Sequence, residues 1–329
     1  MGAVRTILGA GAIAAMGAAA GAHVWARHIE IHQYRLRQIE VEALPAGAPS
    51  LRVLHLSDAH LLPDQHRKLE FLRALATLEP DLVVDTGDNI SSAASIGPLA
   101  EAIEPLLRRP GGFVMGSNDM FAPMRKNPLR YLLPDARPES LFERTEPDLP
   151  VDDLAERLSA YGWHDLTNAR ARLIAGGVEV RFVGVDDPHL ERDEMPAPES
   201  EAPDSARAHG SRAFPGAADG TDSSALTSGL PVLRIAVAHA PYQRVLDGFV
   251  ADGADLILAG HTHGGQLRAP GFGAIVTNCD LPRRQAKGLS SWRGVPLHVS
   301  GGMGASPYSN FRFANPPEAT LLTLRARSA

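Results

Sequence analysis

Cysteine is nearly missing from this chain of 329 residues: Cys279 stands alone. That excludes an intramolecular disulfide framework and a cysteine-based zinc cage, so any metal falls to His, Asp, Glu or Asn. Aromatic side chains are scarce at 5%, and positive charge is not in excess, the formal net charge being −6. Neither nucleic acid nor an anionic membrane surface therefore has a global electrostatic claim on the protein, and no basic stripe with interleaved aromatics is seen. What the chain does have is 13 histidines in an otherwise ordinary globular composition, 44% hydrophobic and 21% charged.

Charge is absent altogether from Thr6 to Trp25, an Ala- and Gly-rich stretch preceded by Arg5 and followed by Arg27, Arg35 and Arg37. Its length suits one membrane-crossing helix, although alanine gives little hydrophobic drive and glycine opposes helix. A secretory signal is the competing expectation, because Ala18–Ala20 and Ala20–Ala22 both resemble small-residue cleavage sites. Basic residues on the C-terminal flank favour a cytoplasmic body, and export requires the opposite, so the side stays open. Residues 1–38 are read as this segment with its flank, and 39–329 as the main domain, opening with a short lead-in from Ile39 to Gly47.

The body alternates buried strands with amphipathic helices. Strands are expected at Leu51–Leu56, 81–85, 112–115, 178–185, 233–238 and 255–259, and helices at 68–78, 96–107, 151–161 and 244–251. That alternation is the grammar of an α/β fold. Leu173–Ile174 and Val178 onward form a hairpin on Gly176–Gly177, and 274–276, 297–299 and 320–324 supply further short strands. Phe121 to Pro150 reads as an irregular excursion, and 191–229, poor in large apolar residues, as a flexible insert.

Five strand ends then deliver side chains suited to a divalent cation: Asp58 and His60, Asp88, Asn118, His239, and His261 with His263 in the loop GHTHGGQ. In this order the words D-x-H, GD, G-x-N-D, a lone His and G-H-x-H resemble the calcineurin-like metallophosphoesterase family from Leu51 to about Leu324. The resemblance implies a four-layer α/β/β/α sandwich and two divalent ions drawn from Mn, Fe, Zn or Mg. Asp58, His60, Asp88 and His263 are then expected to hold one ion, with Asp88 shared, and Asn118, His239 and His261 to complete the second. Two such ions with their anionic ligands and a bridging hydroxide leave a surplus of about +1, enough to draw a phosphoryl group to an acidic protein. Hydrolysis by that hydroxide needs no residue nucleophile.

One position departs from the family. Where it usually carries G-N-H-D or G-N-H-E, this chain has Gly116-Ser117-Asn118-Asp119, so Asp119 stands where the leaving-group histidine is expected. Losing a general acid typically costs ~10²–10⁴ in rate when the leaving group is poor. Either the substrate has a good leaving group, or Asp119 or another side chain gives the proton. His189, Arg283, Arg284 and Lys287 are candidates for substrate contact, with solvated surface as the plainer reading. Met120 and Phe121 wall the pocket or fill core, His55 is read as packing, and Cys279 as a small buried hydrophobe. The loop Ser300–Ser306 either cradles an anion or makes a tight connection.

The bacterial membrane-linked branch of the family is the nearest resemblance, implying a lipid-linked or cell-envelope phosphoester or pyrophosphate. A UDP-2,3-diacylglucosamine-type pyrophosphatase, a nucleotide or nucleic-acid phosphodiesterase, and a metal-loaded module without turnover are the alternatives. Retention of all seven ligand candidates argues against the last.

Overall fold

A computed structural model describes residues 16–124, 144, 146–198, 229–269, 271–305 and 307–328. The strands form two six-stranded sheets. The first contains β1 (Arg35–Leu44), β2 (Leu51–Leu56), β3 (Leu82–Asp85), β4 (Gly111–Phe113), β5 (His164–Asp165) and β14 (Glu318–Ala326), in the order β1-β14-β2-β3-β4-β5. The second contains β6 (Arg170–Ala175), β7 (Val178–Gly184), β8 (Val232–Ala238), β9 (Leu256–Ala259), β12 (Gly288–Trp292) and β13 (Val295–Val299), in the order β12-β13-β9-β8-β7-β6. A two-stranded ribbon, β10 (Arg268–Ala269) and β11 (Gly273–Ala274), follows β9. Strands β2 to β5 are mutually parallel, as are β7, β8, β9 and β13.

Strand alternation builds the layers. In β2, Leu54 and Leu56 pack with the helices His66–Leu75, Ile96–Leu107 and Val151–Ser159. The neighbouring Leu51 and Val53 face the other way, against Val180, Phe182, Ile235, Val237, Leu256 and Leu258 of the second sheet. The far side of that sheet, through Ala236, Ile257, Leu297 and Val299, takes Val245, Leu246 and Phe249 of the helix Gln243–Ala251. Helices, sheet, sheet and helix thus stack in that order. The helix Ile96–Leu107 follows the expected span and holds Leu99, Ile103, Leu106 and Leu107 on one buried stripe.

His55 continues the inward alternation of Leu51 and Val53, but it does more than pack. Its Nδ1 lies 2.8 Å from His298 Nδ1 of β13, and its Nε2 lies 3.1 Å from Thr86 Oγ1. A hydrogen bond between imidazoles therefore crosses the sheet interface beside the site. Burial depresses both rings, His298 to about 4 and His55 well below its usual range.

Several expectations change. The lead-in at Ile39–Gly47 is the second half of β1, which pairs in parallel with β14 and runs across the division drawn at 38/39. Its partner lies about 280 residues away, and its outer positions are exposed, so no compact apolar run marks it. The expected strand at 274–276 is only the β10/β11 ribbon, and β5 and β12 were not anticipated. Of the insert at 191–229, residues 199–228 lie outside the described residues, as do 125–143 and 145 of the Phe121–Pro150 excursion. The stretch 191–198 is pinned: Arg170 donates to Pro196 O (3.0 Å) and Ala197 O (2.8 Å) while its guanidinium also grips Asp252. Residues 6–15 of the apolar N-terminal stretch also lie outside the described residues, and 16–24 are helical. Among the described residues no helix is long and apolar enough to cross a membrane.

The histidine pair makes stability depend on pH. Both rings are neutral in the fold, whereas an unfolded imidazole takes up a proton near pH 6.5. Their contribution is intact above that value and is lost as pH falls from 6.5 towards about 4. Urea unfolding across this window should show a shallower slope for His298→Gln, by up to about 1.4 kcal/mol per pH unit. Equal slopes would mean that His298 is already charged in the fold.

Candidate metal centre at the strand ends

The loops leaving the carboxyl ends of β2, β3 and β4 in one sheet meet those leaving β8, β9 and β13 in the other, the usual place for a ligand in parallel sheets. Backbone pairing continues past the strands: Asp58 N donates to Gly87 O (2.8 Å) and His60 N to Asp88 O (2.9 Å). The sheets are tied at the same place. The Asp58 carboxylate accepts His261 N at 3.0 and 3.2 Å, and Met303 N donates to Ser57 O (3.1 Å). Gly302 N is taken by Ser300 Oγ (3.0 Å), so the 300–304 loop is a tight connection packed on the Asp58 turn.

Five of the seven ligand candidates, Asp58, His60, Asp88, His261 and His263, have φ between 42° and 66°. Left-handed backbone costs a residue with a side chain roughly 1–2 kcal/mol, and such strain collects where function demands it. Two glycines are equally telling. A Cβ on Gly116 would overlap Asp88 Oδ1 and stand 2.7 Å from His239 Cε1, and one on Gly260 would overlap Ser57 Oγ and stand 2.7 Å from Asp58 Oδ2. Only glycine lets these loops close on the carboxylates.

Asp58, His60, Asp88 and His263 present ligand atoms all within 4.8 Å of one another. His60 Nε2 lies 3.1 Å from His263 Nε2 and 3.4 Å from Asp88 Oδ2, and His263 Nε2 lies 3.5 Å from Asp58 Oδ1. On the other side of Asp88, His239 Nε2 is 3.5 Å from the same Oδ2 and 3.3 Å from His261 Nδ1, while Asn118 donates to Asp88 through N (2.8 Å) and Nδ2 (2.7 Å).

Carbonyls behind the rings orient them. His239 Nδ1 meets Thr86 O at 2.7 Å, His261 Nε2 meets Asn278 O at 3.1 Å, and His263 Nδ1 meets Gly304 O at 3.1 Å. A ring N–H given to a carbonyl turns the other nitrogen to the centre, the arrangement metal-ligating histidines adopt.

Electrostatics agree. Burial lowers His60 to about 4 and His263 well below the usual range, leaving both neutral, the form that binds a cation. Against the desolvation of full burial, His239 and His60 hold Asp88 well below the carboxylate range. Against its own desolvation, His239 is held well above its usual value by Asp88 and Asp187, so this ring must release a proton when it binds a cation. Facing imidazoles around buried carboxylates, with strained backbones and tight glycines, fit a hard or borderline divalent cation.

The model of the Calcineurin-like phosphoesterase family matches residues 51–265. The chain belongs to the calcineurin-like phosphoesterase family. It is therefore a phosphoester hydrolase by family, and its Asp and His cluster has the donor set and spacing to hold a divalent metal ion. A Bacillus subtilis (strain 168) relative described as "Uncharacterized protein YpbG" is 26% identical over 80% of this chain and 78% of its own length. A Bos taurus "Transmembrane protein with metallophosphoesterase domain" is 40% identical over 90 residues, covering 26% of this chain and 20% of that protein, so the match spans a fifth of the bovine sequence. Similar solved structures include a dimetal phosphatase from Danio rerio (13% identity, TM-score 0.38, covering 84% of this chain and 99% of that one). Another is a 5'-nucleotidase precursor from Thermus thermophilus (14% identity, TM-score 0.40, 84% and 55%).

The phosphoesterase brings its seven expected ligand candidates to one centre, but not every other candidate. Asp119 is fully buried, and its carboxylate accepts the backbone N–H of Asp88, Asn89, Ile90 and Gly116 at 2.7 to 3.1 Å. Burial and then Asp88 push its pKa up, yet with both oxygens committed it is a staple for two loops and no leaving-group acid. Arg283 is exposed, lies over the Phe272 ring at 5.2 Å and donates to Ile275 O. Arg284 is exposed as well, and among the described residues neither arginine has a polar contact with the ligand candidates. Lys287 is spent on Glu318 (2.7 Å) and Asn315 (2.8 Å). His189 is at the site, its buried ring 4.4 Å from that of His261 and its Nδ1 3.1 Å from Tyr242 Oη. Met120 and Phe121 fill core, and burial raises the Cys279 thiol to about 12, an unreactive value.

Three buried groups were not foreseen. Lys68, on the inner face of its helix, donates to Ala59 O and His60 O, with burial lowering it to about 7. Arg312 lies 3.2 Å from His263 Nδ1. Asp187 sits near Asp88 and His239, its Oδ2 without a hydrogen-bond partner among the described residues, and burial raises it to about 7. Only the inward helical position of Lys68 was a local signal.

Gly116→Ala tests the close packing. Calorimetric titration of the metal-free protein with Mn²⁺ should show affinity reduced by roughly 10–100-fold, the scale of losing a supporting contact. Unchanged affinity would show that the loop opens at no cost to the centre.

Proposed function

We propose that the protein is a membrane-associated phosphohydrolase that holds two divalent cations and cleaves a phosphoester or pyrophosphate bond in a lipid-linked or cell-envelope substrate. Asp88 carries the reading: one oxygen, Oδ2, lies 3.4 Å from His60 Nε2 and 3.5 Å from His239 Nε2, between two groups of ligands. Asp58, His60, Asp88 and His263 would hold one ion, and Asp88, Asn118, His239 and His261 the other. Such a pair, when bound, supplies an activated water and neutralises phosphoryl oxygens as charge develops.

The chain's own part is to keep these groups fixed. Thr86 and Asn278 carbonyls set the His239 and His261 rings, Lys68 and Asp119 hold the Asp58–His60 and Asp88 loops, and His189 walls the His261 side. Asp119, stapled to backbone amides, does not take the place of the missing histidine. A substrate whose leaving group departs without a proton, such as a nucleotide pyrophosphate or activated diester, is the chemistry that suits this centre. A UDP-2,3-diacylglucosamine-type pyrophosphate is one member of that class. The membrane reading draws support from the charge-free stretch Thr6–Trp25, and from the exposure of Val24 and Trp25 at its end and of Ile29 just beyond, a tryptophan being at home at a bilayer interface. The bovine relative pairs a transmembrane protein with the same kind of domain.

A panel of phosphomonoester, phosphodiester and pyrophosphate substrates, run with metal analysis, tests the reaction. Asp88→Asn should lose both ions and at least ~10²-fold in turnover, the scale of removing one electrostatic stabiliser. Retained hydrolysis in that variant would remove the shared-ligand mechanism. Separately, turnover of aryl phosphates should fall steeply as the leaving-group pKa rises, whereas a flat dependence would reveal a proton donor.

A further inference from the structure

The segment joining the N-terminal helix to β1 is bound to the body by a buried carboxylate. Trp25–Ile29 and Glu30–His32 form two short helical turns, and Glu30 is only 4% exposed. Both of its oxygens are in use. Oε2 accepts Trp25 Nε1 (2.8 Å) and Ala314 N (3.0 Å), and Oε1 accepts Asn315 N. Arg312 N adds a bond to Ala26 O (2.9 Å). A carboxylate buried in this way is tolerated only while its hydrogen bonds are made, so Glu30 dictates where the 312–315 loop lies.

That loop holds His263 at two points. Asn315, fully buried, donates from Nδ2 to His263 O (2.6 Å), while its Oδ1 accepts Lys287 Nζ (2.8 Å). Arg312, also fully buried, donates to Gly301 O (2.8 Å), Asn315 O (3.3 Å) and Gly304 O, the last being the carbonyl that faces the His263 ring. A path of direct hydrogen bonds therefore runs from Glu30 through Asn315 and Arg312 to the carbonyl and ring of one candidate ligand. His239 and His261, anchored on Thr86 and Asn278, are not on that path.

We propose that Glu30 is a positioning residue for the metal centre, setting Asn315 and Arg312 against His263, and that Trp25–His32 is thereby a working part of the site. The inference rests on reading His263 as a ligand. Both candidate cleavage points, Ala18–Ala20 and Ala20–Ala22, precede Trp25, so processing at either keeps this strap in the chain. The apolar N-terminal stretch and the metal centre then meet through this strap, and movement of the first is felt at one ligand of the second.

The test uses the full chain stripped of metal and titrated with Mn²⁺ by calorimetry, with unfolding of each metal-free variant followed by circular dichroism. His263→Ala should lose one of two Mn²⁺ ions. Glu30→Ala and Asn315→Ala should weaken that same ion by about 10–100-fold and leave the other unchanged, while Glu30→Gln, which keeps one acceptor oxygen, should lose less. Excess Mn²⁺ should restore full occupancy in Glu30→Ala but not in His263→Ala, a split that a merely misfolded protein does not give. Wild-type titration of Glu30→Ala and Asn315→Ala beside a defective His263→Ala overturns the positioning role. If Glu30→Ala does not fold, wild-type affinity in both Glu30→Gln and Asn315→Ala overturns it instead. Wild-type binding by His263→Ala is a different failure: it removes the ligand assignment itself.

Discussion

A single carboxylate oxygen, Asp88 Oδ2, stands between an imidazole carried by the first sheet and one carried by the second. That contact requires two sheets to stack with their carboxyl ends level. The apolar cluster between the sheets supplies the adhesion but is indifferent to sliding. Register comes from polar contacts at the same end: the His55–His298 pair, the Asp58 carboxylate on His261 N, and the Thr86 carbonyl on His239. Each is buried, so each loses its partner at full desolvation penalty if the layers shift.

The loops then hold backbone conformations that residues with side chains ordinarily avoid. Asp119 with four amide donors, Lys68 with two carbonyls, and the glycines at 116 and 260 over-determine the turns. A cation arriving at such a centre has little reorganisation to drive, which is what preorganisation means for binding. Asp119 shows the cost of the same design. Its carboxylate is too valuable as a loop staple to serve as an acid.

Much of this could be read from the chain because the informative signals were local. Buried strands ending abruptly in Gly, Asp, Asn or His identified the ligand-bearing loops, and helical periodicity fixed Ile96–Leu107 to the residue. What could not be read depends on distant partners. β1 is half exposed and finds its neighbour only at the far end of the chain. His55 looked like packing because alternation tells which face a residue takes, not that a second histidine waits there. Arg312 and Glu30 are charged residues whose burial follows entirely from tertiary contacts. Arg283 and Arg284 err in the other direction, since nearness in sequence to the GHTHGGQ loop did not bring their guanidinium groups to the centre.

The first sheet has the order β1-β14-β2, so among the described strands the one from Glu318–Ala326 sits between those from Arg35–Leu44 and Leu51–Leu56. During synthesis β2 is made well before β14, so one of its edges stays uncovered while all the intervening strands are added. Contacts of such long sequence separation are slow to form and leave that edge open to pairing with other chains in the meantime. A nascent chain interrupted shortly before residue 318 would carry all seven ligand candidates and still lack the strand that pairs with both β1 and β2.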